Sequence, residues 1–273
     1  MTIHLHVLSL GAGVQSTTMA LMAAHGEIMP MPSAAIFADT GAEPAAVYKH
    51  LEWLMSGNVL PFPVHVVRAG NLRDEIMGAM AGSNRMDARP PFFTLGGGML
   101  RRQCTQDFKI IPIERQVRTL LGLKKGQRGP KTPAVEQWIG ISTDEAMRMK
   151  PSRLSYIQHR WPLIEAGMSR NDCLKWLDQH EYYRPAKSAC TFCPYRSNAE
   201  WRYMRDNDPA GFAEAVRIDE AIRPGMPGPK RPTGEAWFVH RDRVPLAEVD
   251  LSTPYERGQP DLFNNECEGM CGV

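Results

Sequence analysis

Residues 9–17 read SLGAGVQST and follow directly on the apolar segment HLHVL of residues 4–8. The stretch breaks a strand pattern with two glycines and then enters the helical run T-T-M-A-L-M of residues 17–22. An ordinary tight turn would account for such a junction, and so would an anion cradle. Gly11 and Gly13 can take positive φ and allow close backbone approach, while Ser9, Ser16 and Thr17 offer hydroxyls beside a helix N-terminus whose free N–H groups favour negative charge. The loop lacks the lysine of a G-x-x-x-x-G-K-[ST] phosphate loop, and no G-x-G-x-x-G is present.

Outward from this loop, apolar runs alternate with helical patterns. Strands are expected over 4–8, 34–37, 64–67 and 135–141, and helices over 17–25, 45–54, 72–81 and 111–121. Alternation of this kind predicts an α/β fold with a doubly wound parallel sheet, whose ligands bind outside the carboxyl ends of the strands. Three polar turns should project there: 9–16, the D-T-G of Asp39, Thr40 and Gly41, and 142–148. Periodicity fails between 82 and 110, around the glycines 96–98. After about Leu163 the composition changes to a Ser-capped helix over 169–179, a C-x-x-C, a helix near 198–206 and a Pro/Gly-rich segment over 223–232. This divides the chain into a nucleotide-type α/β domain over 1–165 and a smaller cysteine-bearing C-terminal region over 166–273.

Composition narrows the class. The 273 residues, 43% hydrophobic and 23% charged, can bury a substantial core. No apolar run reaches the roughly 18–20 residues of a membrane helix, and no signal-peptide pattern opens the chain, so a cytoplasmic protein with no membrane partner is expected. A net charge of +2 neither demands nor excludes nucleic acid. The strongest basic patches are Arg101 with Arg102 and the loop over 124–131. In a reducing compartment the six cysteines point to ligation, catalysis or burial rather than disulfides. Cys190 and Cys193 form a knuckle that can share one metal or cluster with ligands from elsewhere. Cys173, at helical spacing from Leu177, reads as a core thiol. Lys109 and Arg148 are candidates to neutralise phosphate or sulfate; Asp39 and Glu145 could carry Mg2+.

Taken together, these motifs resemble the phosphoadenosine-phosphosulfate (PAPS) reductase branch of the adenine nucleotide α-hydrolase, or PP-loop, superfamily. SLGAGVQST resembles its modified phosphate loop, with the Gln15–Ser16 pair typical of that branch; F-A-D-T-G over 37–41 and G-I-S-T-D-E-A-M-R over 140–148 are similar to its later segments. The resemblance spans roughly residues 5–206 and implies a Rossmann-like fold that binds ATP, PAPS or adenylyl sulfate through Ser9, Gly11, Gly13, Gln15, Ser16, Thr17, Asp39, Thr40 and Gly41.

The segment C-T-Q-D-F-K-I-I-P over 104–112 resembles the C-C-x-x-R-K-x-x-P of the iron–sulfur adenylyl-sulfate reductases. The resemblance implies a [4Fe–4S] cluster, with Cys104, Cys190 and Cys193 as ligands and zinc as the alternative metal. Thr105 replaces the second cysteine of the pair, so the fourth ligand would come from Cys271 or Cys267, or one iron would stay open. The C-T-x-x-x-K pattern also resembles the PAPS reductase-like component of DNA phosphorothioation systems, and an open iron resembles the clusters of ATP-dependent tRNA thiolases. The tail, E-C-E-G-M-C over 266–271, partly matches the reductases' E-C-G-x-H, which implies Cys267 as a nucleophile assisted by Lys109 and Arg148. A reductase would need a thioredoxin-like partner; a thiolase would need a sulfur donor and a nucleic-acid acceptor. A zinc-knuckle module that binds nucleotide without turnover is the third possibility.

Overall fold

The computed structural model describes residues 3–82, 89–226, 235–253, 256 and 258. Five parallel strands, β1 (Leu5–Leu10), β2 (Ala34–Asp39), β3 (Val64–Arg68), β5 (Val135–Ile139) and β6 (Ile157–Arg160), form a sheet in the order β3-β2-β1-β5-β6. A separate antiparallel pair joins β4 (Phe93–Thr94) to β7 (Trp237–Phe238). The helices are α1 (Val14–Ala24), α2 (Ala45–Met55), α3 (Leu72–Met80), α4 (Ile111–Leu120), α5 (Pro162–Glu165), α6 (Arg170–Gln179), α7 (Asn198–Asn207) and α8 (Pro209–Ile222). The expected doubly wound α/β fold is therefore present, with β1 at the centre.

Period-2 alternation along β1 explains the two layers. Leu8 and Leu10 face α1, α2 and α6, where they pack with Met19, Leu51, Trp138, Cys173 and Leu177. Leu5 and Val7 face the opposite layer, where Val117 of α4 packs with Ile36 and Val135. Residues on both sides of position 165 thus share the first core. A further core joins Leu72 and Ile76 of α3 to Phe192, Trp201 and Met204 and to Ala215 and Ile218 of α8. It brings the cysteine knuckle against the carboxyl side of the sheet. Ser169 and Ser197 each close a capping box, with Asp172 and Glu200, which fixes where α6 and α7 begin.

Sequence periodicity places the start of α1 three residues late, because the helix begins immediately after Gly13. It also misses β6 and α8, although Asp208 followed by Pro209 is an N-cap and first-turn signature. Among the described residues, no helix is long and apolar enough to cross a membrane.

One buried group gives the fold a pH dependence. His50 on α2 is 2% exposed; its Nε2 lies 2.8 Å from Thr17 Oγ1 and its Nδ1 lies 2.6 Å from the Tyr183 hydroxyl. Burial pushes its imidazole down to about 4. Because the folded value lies below the unfolded one, the stabilisation is complete above about pH 6.5 and is lost as pH falls toward 4; at 1.36 kcal/mol per unit it amounts to about 3 kcal/mol. Urea unfolding should therefore show wild type losing about 3 kcal/mol more than His50→Gln between neutral pH and about pH 4. Parallel losses in the two chains would refute this assignment.

Candidate active site

The loop after β1 sits at the carboxyl edge of the sheet, where α1 starts with no side-chain cap on its first turn. Its leading N–H groups are thus left to an external acceptor. The loop's backbone differs from the expectation of positive φ at the glycines. Gly13 is extended at φ −103°, and Ala12, fully buried, takes the left-handed φ of 55°. The glycines serve close approach instead. The Ser16 hydroxyl accepts from the Gly11 amide at 3.1 Å and lies 3.4 Å from the Gly13 carbonyl, so it braces the loop. Gln15 reaches Ser142 at 3.5 Å, and Ser9 accepts from Gln137 at 2.8 Å, which ties the loop to β5 and the turn after it. Gly140, just past β5, packs so closely that a Cβ there would stand 3.1 Å from the Ser16 amide nitrogen.

A cavity of about 120 Å3 opens over this loop, lined by Ser9, Gly11, Gly13, Gln15 and Ser16. Four cationic side chains also line it: Lys109, Arg148, Arg170 and Lys187. Arg148 pairs with Glu145 at 2.7 Å; burial raises the Glu145 carboxyl, and Arg148 pulls it partly back. Lys187 pairs with Glu200 at 2.6 Å. Arg170 and Lys187 were not legible as site residues in the sequence. Arg170 follows a helix cap and Lys187 precedes the knuckle, and only the packing of α6 and of the knuckle segment against α1 turns them inward.

The remaining candidates from the loop and the D-T-G turn are placed elsewhere. Thr17 is buried with its hydroxyl on His50, and it is absent from the cavity lining. Asp39 is also buried and outside the lining, and both its oxygens are engaged: Arg68 donates to Oδ2, while Tyr48 at 2.8 Å and the Gly41 amide at 2.7 Å donate to Oδ1. Burial alone would raise this carboxyl, yet these donors together hold it below the usual carboxylate range. Asp39 thus braces the turn. Gly41, at φ 73°, has Asn71, the cap of α3, where a Cβ would stand.

Thr40 turns toward the cysteines, with its Oγ1 3.3 Å from Cys190 Sγ. Cys104, Cys190 and Cys193 line one cavity, together with Thr40, Thr105, Arg102 and Lys109. The Thr191 amide donates to the Ala42 carbonyl at 2.9 Å and docks the knuckle on the D-T-G turn. The buried Arg196 guanidinium donates to the carbonyls of Ala189 and Cys190 at 2.8 and 3.1 Å. The other wall is a π-helix, Gln106–Ile110, which leads into α4. Such wide turns are rare and cluster at functional sites. This one was missed in the sequence, where the helix is expected only from 111. It carries Thr105 at its cap and Lys109 in its last turn. Cys173 is a core thiol pushed up to about 12 by burial. Cys267 and Cys271 lie outside the described residues.

Lys109 lines both cavities and pairs at 3.2 Å with Glu43, whose side chain is wholly buried. A third cavity of about 460 Å3 adjoins them and is lined by Arg102, Lys109, Arg148, Lys150, Arg153 and His159, among others. Of the two basic stretches noted in the sequence, the first thus contributes Arg102 to the site.

No family model and no curated protein matches this chain. Among solved structures, it is similar to the crystal structure of phosphoadenylyl-sulfate (PAPS) reductase from Candida auris in its phosphate complex. The match has 12% identity and a TM-score of 0.43, and it covers 67% of this chain and 76% of that one.

Proposed function

We propose that this protein is a PAPS reductase-like iron–sulfur enzyme of sulfur transfer that binds an adenine nucleotide, ATP or adenylyl sulfate/PAPS, on the loop over 9–17. The observation that carries this reading is the position of Lys109, shared between an uncapped helix N-terminus and a cavity lined by three cysteines. Three thiols lining one cavity are soft donors that suit an iron–sulfur cluster, with zinc as the alternative metal. Cys104, Cys190 and Cys193 would hold the group, with a fourth thiolate from Cys271 or Cys267. Bound there, a cluster would supply redox and sulfide-carrying chemistry.

The protein's own groups have defined tasks in this reading. The first-turn amides of α1 receive the anionic end of the nucleotide, and Lys109 and Arg148 stabilise charge on the departing phosphate. With PAPS or adenylyl sulfate, the Cys267 thiolate attacks sulfur and the nucleoside phosphate leaves; a thioredoxin-like dithiol then attacks Cys267 Sγ and releases sulfite. A second reading, ATP-dependent thiolation of a nucleic acid, is favoured by the basic third cavity, which offers Lys150 and Arg153 to an acceptor phosphate.

Anaerobic purification followed by iron, acid-labile sulfide and zinc analysis tests the cluster. Roughly four irons and four sulfides per chain are expected, falling to background in Cys193→Ala. Zinc without iron, one equivalent of it lost in Cys193→Ala, would leave the nucleotide-binding module instead. Sulfite release from PAPS, abolished in Cys267→Ser with iron retained, marks the reductase; pyrophosphate release from ATP marks the thiolase.

A further inference from the structure

A second set of metal-type donors lies at the far ends of the two helices that open on the nucleotide cavity. Val14 begins α1 and Arg170 begins α6, and both line that cavity. The same helices end at His25 and His180, which are their C-cap residues. At 1.5 Å per residue this end is roughly 15 Å from the cavity. The two helices therefore run side by side in the same direction, and both negative dipole ends converge on one place.

Both helices terminate in the same way. The Glu27 amide bonds the Met22 carbonyl and the Gly26 amide bonds that of Ala23; the Tyr182 amide bonds the Leu177 carbonyl and the Glu181 amide bonds that of Asp178. This paired Schellman geometry folds Glu27 back over the end of α1, next to His180. The ligand atoms of His25, Glu27 and His180 all lie within 4.8 Å of one another, and His180 Nε2 is 3.6 Å from Glu27 Oε1.

The surrounding contacts orient these groups as outer-shell partners do around a metal. His180 Nδ1 lies 2.8 Å from the Trp176 carbonyl, which can only accept, so Nδ1 is the donating nitrogen and Nε2 is the one turned toward the Glu27 carboxylate. The Trp176 indole N–H donates to the other Glu27 oxygen at 2.9 Å, and its ring stacks on His180 at 3.9 Å. Tyr182 meets His25 Nε2 at 2.9 Å. Three donors gathered on one point beside two negative helix ends suit a cation there.

We propose that His25, Glu27 and His180 form a binding site for a divalent transition ion such as Zn2+, clamping the C-terminal ends of α1 and α6. Two imidazoles and one carboxylate are a zinc donor set that leaves one position for water. The site is separate from the cysteines and does not depend on the function proposed above.

Calorimetric titration of the full chain with Zn2+ tests it. The wild type should bind one zinc that the His25→Ala/His180→Ala variant does not, and Cys190→Ser should keep that zinc. Glu27→Gln should weaken it at least about tenfold. Saturating zinc should raise the Tm of the wild type and leave that of the double variant unchanged. Near-UV circular dichroism in chelator checks that the variants fold; if the double variant does not, Glu27→Gln decides, because that side chain is half-exposed. Equal zinc stoichiometry and affinity in wild type and Glu27→Gln would overturn the proposal.

Discussion

Lys109→Ala should lower stability by about 3–5 kcal/mol and turnover by about 10²–10³-fold. The two losses have different origins. Stability falls because Glu43, wholly buried, loses the ammonium 3.2 Å away and keeps only the Ser188 hydroxyl at 3.4 Å. A buried carboxylate without its countercharge cannot recover the hydration it gave up. Turnover falls because the same ammonium faces the nucleotide cavity and the cysteine cavity together.

Lys109→Met combined with Glu43→Gln separates these origins. Replacing both charges removes the desolvation penalty along with the attraction, so urea unfolding should return to within about 1–2 kcal/mol of wild type. Turnover should stay low, since the cation proposed to stabilise the leaving phosphate is still missing. A Lys109→Ala protein as stable as wild type would show that Glu43 finds other support. A double variant with normal turnover would remove Lys109 from the chemistry.

The sheet and the position of the loop over 9–17 were legible because both rest on local signals. Alternating apolar runs mark β1, β2, β3 and β5, and a glycine-bearing junction after the first strand of a parallel sheet has to lie on its ligand-binding edge. The association of Cys104 with the knuckle was also legible, through motif order rather than geometry. Other features depend on packing at a distance. Whether Asp39 faces a ligand or its own turn is decided by Arg68 on β3 and Tyr48 on α2, neither of which is marked by spacing. Thr17 reads as a helix N-terminal hydroxyl, yet it falls on the buried face once α1 begins at Val14 rather than at residue 17. Ala12 carries the left-handed conformation that chemistry would assign to its glycine neighbours, a local strain of about 1–2 kcal/mol that the buried loop imposes. Arg170 and Lys187 look like surface charges until the helix and segment that bear them fold against α1.

Gly140→Val should weaken nucleotide binding by on the order of 100-fold while leaving the fold intact. The glycine is adjacent to the loop rather than part of it, so the substitution changes loop geometry without deleting any ligand-facing group. A Cβ at this position would stand 3.1 Å from the Ser16 nitrogen, 3.2 Å from its Cα and 3.4 Å from the Gln15 carbonyl carbon. All three are backbone atoms in the first turn of α1, so no side-chain rotamer can move aside. Valine adds two further methyl groups to that contact and has to displace the turn. A displacement of about 1 Å at amides that must converge on one anion loses one or two charge-assisted hydrogen bonds, on the order of 100-fold in affinity. Gly140→Ala needs only a few tenths of an ångström, so its loss should be intermediate. Equilibrium binding of ATP and of PAPS across this pair gives a graded series, and thermal unfolding without nucleotide reports whether the core is affected. A monotonic fall in affinity with a nearly constant Tm is the signature of a cradle built from backbone amides. Undiminished binding by Gly140→Val would mean that the nucleotide sits elsewhere, and the proposed link between the loop and the cysteines would fall with it.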